Sequence, residues 1–244
     1  MTTTVYPLSE LRAALRELDA GTYTHPATSS DFAPGLDRLD CGVVAVLGVS
    51  GGVGATIVGL AIAETIGADR LIELCPAWGS GLVEATTAEL GHDRGWRLGN
   101  RGALLIERRE SDAAGLRDVP GRAVVDAGAW IGGTPALLPH IAALVVVAPC
   151  TIPGIRRLEL LLSLSPTDAL IIPVLVGATT PKAMPRSVVG AAGPLMRAGI
   201  QGRRVATVPV CPSLRRTGIT GDKLPKALLV AAATLAHHLK DVLP

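Results

Sequence analysis

The segment GVSGGVGAT at residues 48–56 constrains this chain more than any other. It stands between two apolar runs, VVAVL ending at Leu47 and IVGLAIAE beginning at Ile57. A β-branched run, a glycine cluster and a second apolar run read as strand, tight turn and helix. Glycines at 51, 52 and 54 let the backbone curl until successive N–H groups face one point. The N-terminus of the following helix adds partial positive charge there, so the segment is built to hold an anion. A loop of this kind usually adds a lysine against the β- and γ-phosphates and a Ser or Thr hydroxyl on magnesium. Thr56 supplies the hydroxyl, but Ala55 stands at the lysine position.

From residue 42 onward, strand-like and helix-like segments alternate. Strands are expected at 43–48, 70–74, 103–108, 123–126, 143–148, 169–177 and 205–210. Helices are expected at 55–65, 80–90, 135–140, 153–163, 186–198 and 224–240, and the Gly/Arg-rich stretch 91–102 reads as a loop. Such alternation predicts an α/β fold: a mostly parallel, doubly wound sheet in three layers, with ligands beyond the carboxyl ends of the strands. The chain is 48% hydrophobic yet has one Phe and two Tyr. Aliphatic side chains must therefore fill the core, as strands buried on both faces require.

The loop Ser50-Gly51-Gly52-Val53-Gly54-Ala55-Thr56 resembles the deviant P-loop of the ParA/MinD family of partitioning and positioning ATPases, whose pattern is K-G-G-x-G-K-[ST]. The glycines and Thr56 match; Ser50 and Ala55 replace the two lysines. Further segments follow in family order. Residues 70–78, RLIELCPAW, sit where the family's second strand ends in an Asp, here Glu73, and 78–82, WGSGL, fit its glycine turn into a helix. Residues 122–128, RAVVDAG, look like the Walker B strand ending in Asp126. Residues 143–157 resemble the strand, loop and helix beyond it. Residues 205–213, VATVPVCPS, resemble the strand and proline loop that line the adenine, with Pro209 and Pro212 against the base. Gly177-Ala-Thr-Thr180 lacks the Asn often found there. The alanine-type loop is nearest to the TadZ/CpaE branch, which positions pilus or secretion machinery.

The resemblance implies a P-loop domain over 41–244; before it, apolar residues at helical spacing after Ser9 read as an amphipathic helix within 1–20, and Pro/Ser/Thr-rich composition reads as a linker over 21–40. The resemblance also implies ATP or ADP with Mg2+ on residues 50–56, with Thr56, Asp126 and Glu73 at the metal. A homodimer, a protein partner in a secretion, conjugation or partition system, and non-specific DNA are the implied partners. Without its lysines the loop loses charge-assisted contacts of roughly 1.5–3 kcal/mol and the charge stabilisation that phosphoryl transfer needs. The expected function is thus a degenerate member that binds nucleotide weakly or not at all and positions or regulates a larger assembly. The alternative is an active partition ATPase using another cation, for example Lys182 or an arginine across a dimer.

Other constellations weigh less. The arginine pairs 108/109, 156/157, 203/204 and 215/216 read as solvated ends and loops or as a DNA-facing patch. Cys75, Cys150 and Cys211 each follow an expected strand and read as small strand-end residues rather than a zinc site. The apolar helix at 224–240 reads as core packing or, less simply, as a membrane-lying helix. No apolar run reaches the ~20 residues needed to cross a bilayer. No basic region followed by an apolar core opens the chain, so the expected compartment is the cytoplasm, with recruitment to membrane or nucleoid as the further expectation.

Overall fold

The computed structural model describes residues 42–75, 79–111, 114–117, 119–132, 137–165 and 170–240. The expected N-terminal helix and linker lie outside them. The elements run β1 (Val44–Gly48), α1 (Ala55–Ile66), β2 (Arg70–Glu73), β3 (Ala88–Asp93), β4 (Trp96–Arg101), β5 (Leu104–Arg109), β6 (Ala123–Ala129), β7 (Ala143–Pro149), α2 (Ile152–Ser163), β8 (Leu170–Val176), α3 (Arg186–Gly190), α4 (Pro194–Gln201), β9 (Ala206–Val208), α5 (Pro212–Thr217) and α6 (Lys226–Leu239). Single 3-10 turns cover Leu138–His140 and Pro181–Ala183.

One nine-stranded sheet has the order β3-β4-β5-β2-β6-β1-β7-β8-β9. From β5 to β9 every neighbouring pair is parallel; β3 and β4 add an antiparallel hairpin at one edge. Strand β1 is buried throughout, which suits its unbroken Val/Ala/Leu run. Helix α1 begins and ends on left-handed glycines, Gly54 (φ 92°) and Gly67 (φ 62°), where a Cβ would be strained. Its apolar side, with Val58, Leu60 and Ile62, packs against the sheet and against α6. Leu228, Ala232, Leu235 and Leu239 of α6 are buried in the same core, so this helix packs as the core reading expects. No helix among the described residues is long and apolar enough to cross a membrane.

The sequence reading goes wrong on one side of the sheet. Residues 80–90 are not a helix and 91–102 are not a loop: turns and extended chain run over 80–87, and β3 and β4 occupy 88–93 and 96–101. Trp96, Leu98, Leu104 and Ile106 alternate inward along β4 and β5, the period-2 pattern of a strand pair. Arg94 (φ 48°) and Gly95 (φ 84°) turn β3 into β4, and Gly102 (φ 61°) turns β4 into β5, as two-residue hairpin loops demand. Gly99 permits close packing, since a Cβ there would lie 2.5 Å from Thr86 Cγ2. The expected helix at 186–198 breaks into α3 and α4 because Gly193, before Pro194, is extended (ψ −176°).

Buried charges fasten these layers. Arg70 and Glu107 form a two-pronged pair across β2 and β5, Nε to Oε1 2.6 Å and a second guanidinium nitrogen to Oε2 3.0 Å. Arg101 pairs with Glu64 of α1 and donates to the carbonyls of Ala85, Thr220 and Asp222, tying the hairpin to the loop before α6. Arg108 and Arg109 are buried in β5, with Arg108 held by both oxygens of Glu89. That pair therefore cannot belong to a DNA-facing patch.

Across α2 and α4, Glu159 accepts from the Leu195 and Met196 N–H groups, both at 2.8 Å, and so caps α4 from a neighbouring helix. Glu159→Ala leaves those donors without a partner, and a loss of about 1–2 kcal/mol in urea unfolding is expected.

Candidate nucleotide site

Parallel register builds the site at the carboxyl edge of the central strands. Asp126 of β6 pairs in register with Val46 of β1 on one side and Glu73 of β2 on the other. Two backbone bonds fix the root of the glycine loop: Val49 N–H donates to Val147 O (2.9 Å) and Trp130 N–H to Gly48 O (2.7 Å). Gly48 has no room for a side chain, because a Cβ would lie 2.8 Å from Val53 Cγ2 and 3.0 Å from Ser50 O. Gly52 (φ 73°) and Gly54 (φ 92°) then take left-handed conformations. A Cβ at Gly51, Gly52 or Gly54 would touch nothing within 4 Å, so open space lies before the loop. Among the described residues, no N–H from Gly51 to Ile57 donates to a backbone carbonyl. This is a curled row of unpaired donors at a helix N-terminus.

The side chains around the loop divide its labour. Val53 packs on the core, Ser50 is half-buried and Ala55 is buried, so the lysine position carries a methyl group and no charge. Thr56 lies against Gly81: a Cβ on that glycine would be 3.2 Å from Thr56 Oγ1. Asp126 is fully buried; its Oδ1 accepts from Gly128 N–H at 3.0 Å, whereas Oδ2 has no hydrogen-bond partner. Burial pushes the Asp126 carboxyl above the usual range; the Thr56 hydroxyl and the Gly128 N–H pull the other way. A buried, unsatisfied carboxylate oxygen beside a hydroxyl is the donor set a hard cation such as Mg2+ takes, so these residues fit that ion.

Glu73 is buried and in register with Asp126, but both its oxygens are engaged, one by Ser80 Oγ and one by Gly81 N–H at 2.8 Å. Burial raises its pKa first, the Ser80 hydrogen bond opposes this, and the charge of Asp126 raises it further. In this arrangement Glu73 holds the segment that covers Thr56. Ser80 and Gly81 are the partners that the residue reading missed as such; the signal was a Ser-Gly pair just beyond an acid-ended strand. Cys75 stands beside both acids, and burial, then their charge, pushes its thiol strongly upward.

Pro209 follows β9 and Pro212 opens α5, three strands from β1. Lys182 is exposed in the 3-10 turn after β8. Among the described residues no group of three His, Cys, Asp or Glu side chains could hold a metal, so a cation here would rest on Thr56 and Asp126.

Raised carboxyl pKa values mean that the folded protein holds protons more tightly than the unfolded chain. Their contribution to stability is thus complete below the ordinary carboxylate range and is lost as pH rises through the folded values. The urea midpoint of the metal-free protein is expected to fall as pH rises above the ordinary carboxylate range, and to fall less in Asp126→Asn. An equal fall in both proteins would show that Asp126 is not the group responsible.

No protein-family model matches the sequence, and no curated protein matches it. Solved structures do match in fold. A ParA family ATPase from Chlorobium tepidum superposes with TM-score 0.51 at 15% identity, covering 84% of this chain and 95% of that one. MinD of Pyrococcus horikoshii, solved with Mg-ADP, superposes with TM-score 0.51 at 16% identity, covering 81% and 96%. MinD of Aquifex aeolicus gives TM-score 0.50 at 16% identity, covering 80% and 97%. The fold is that of the ParA/MinD-like P-loop proteins.

Proposed function

We propose that this chain is a degenerate ParA/MinD-like protein that acts by binding rather than by turnover. It holds ATP or ADP with Mg2+ weakly and positions or regulates a larger assembly: a pilus or secretion machine, a conjugative element, or segregating DNA. One observation carries the reading. The cradle is open and its donors are unpaired, with Asp126 and Thr56 behind it, while the position that should neutralise the phosphates is a buried alanine.

In this reading the N–H groups of residues 50–56 hold the phosphates, and Thr56 and Asp126 hold the metal. Glu73 positions the covering segment, and Pro209 and Pro212 line the base. Mg2+, when bound, neutralises phosphate charge. Binding without a lysine rests on backbone dipoles and the metal, which suits a nucleotide-responsive homodimer in the cytoplasm better than an efficient enzyme. Its partners would be a protein of the assembly and non-specific DNA.

The test is phosphate release from Mg-ATP by the purified protein. The expected result is release no faster than in buffer, alongside measurable binding. Sustained turnover abolished by Lys182→Ala, or by loss of an arginine across a dimer, would replace this reading with an active partition ATPase.

A further inference from the structure

Charge is spread unevenly over the molecule. Residues 150–205 hold seven of the chain's 23 Lys and Arg but two of its 21 acids, net +5, which leaves −3 for everything else. These residues build β8, which carries none of the seven cations, and α2, α3 and α4 with the turns around them. Arg156, Arg157, Lys182, Arg186, Arg203 and Arg204 are all exposed. Of the two acids, Glu159 is consumed in capping α4, and Asp168 lies outside the described residues.

The same layer exposes aliphatic side chains. Along α2, Ile152, Arg156, Leu160 and Leu164 recur every four residues, so they form one ridge. Ile155, Leu158 and Leu161 on the opposite side are fully buried, and the helix packs on β7. The ridge therefore faces away from the core, with Leu160 51% exposed. Leu195 of α4, 46% exposed, adjoins it through the Glu159 cap, and Val189 of α3 is exposed nearby in the chain.

We propose that the α2–α4 layer docks this protein on an anionic lipid surface. Cations alone would suit any polyanion. Leucines among them gain nothing against a phosphodiester backbone but gain transfer free energy when they enter the headgroup–acyl boundary. Each Arg or Lys near an acidic leaflet adds to the attraction, and clusters of four to eight on a helical surface are what such leaflets hold. This surface is separate from α6, whose apolar side is spent on α1, and it does not depend on nucleotide binding.

The test is co-sedimentation of the intact protein with phosphatidylcholine vesicles, with and without phosphatidylglycerol, and separately with duplex DNA. The expected result is binding to the phosphatidylglycerol vesicles alone, weakening with salt. The double substitution Arg156→Glu/Arg157→Glu should reduce partitioning at least tenfold. Leu160→Ser/Leu195→Ser should reduce it severalfold while leaving the salt dependence unchanged. All four positions are exposed, and an unaltered thermal transition checks that the variants fold. No binding to acidic vesicles, or binding that neither variant weakens, overturns the proposal. Binding to DNA in place of vesicles, lost in the arginine variant and indifferent to the leucines, overturns it in favour of a nucleic-acid face.

Discussion

Glu107→Ala lowers the unfolding free energy by about 3–5 kcal/mol, the cost of leaving a buried charge without its partner. Arg70 and Glu107 are 1% and 0% exposed. Two hydrogen bonds join their side chains, and Arg70 also donates to the Val119 and Arg117 carbonyls. Without Glu107 the guanidinium stays in the sheet with two carbonyl dipoles and, close by, the like charge of Arg117, whose guanidinium lies 3.5 Å from Glu107 Oε1 in the intact protein. The pair's attraction is offset by the cost of taking both ions out of water, so Arg70→Met/Glu107→Leu is expected to lose far less than Glu107→Ala. Urea unfolding of the three proteins measures this directly. Arg70 opens β2 and Glu73 closes it, so Glu107→Ala should leave nucleotide affinity per folded molecule unchanged. A double variant as damaged as the single one would show that packing volume, not the unpaired charge, sets the cost.

Ala55→Lys strengthens nucleotide binding roughly ten- to a hundredfold. The added ammonium supplies a charge-assisted contact of about 1.5–3 kcal/mol, and each ~1.4 kcal/mol is a factor of ten in Kd. The position precedes Thr56 at the first turn of α1, beside the unpaired N–H groups, so the stem can run toward the open space before Gly51 and Gly54. Titration of a fluorescent ATP analogue with Mg2+ reads the gain. An unchanged affinity would mean that the open space is not where the phosphates go.

Much of this was legible in the chain itself. Aliphatic runs ending in glycine or acid located β1, β2 and β6, and parallel register then placed Asp126 and Glu73 side by side. The glycine spacing 51, 52, 54 was legible because two of those positions need left-handed backbone that other residues resist. The β3–β4 hairpin was not. Its inward residues, Trp96 and Leu98, are interrupted by Arg97 and Gly99, and Arg101, although buried, reads as a surface residue until its partners Glu64 and three carbonyls are seen. Arg108 misled for the same reason. The exposed leucine ridge of α2 was equally hidden, since Leu158, Leu160 and Leu161 look alike until the helix is set against β7. The opposed roles of the two acids also needed the structure: Asp126 keeps an oxygen free, whereas Ser80 and Gly81 use both oxygens of Glu73.

The central claim is that the glycine loop still receives nucleotide although its cation is gone. The most direct measurement is binding of a fluorescent ATP analogue with Mg2+ to the wild-type protein beside Gly54→Asp. That substitution puts a carboxylate into the cradle and a side chain on a φ of 92°, a conformation that costs about 1–2 kcal/mol. Weak, Mg2+-dependent binding by the wild type that Gly54→Asp abolishes, with both proteins folded, is the predicted result. Contradiction would come from a wild-type protein that binds nothing at millimolar nucleotide, or that binds as well with aspartate at position 54.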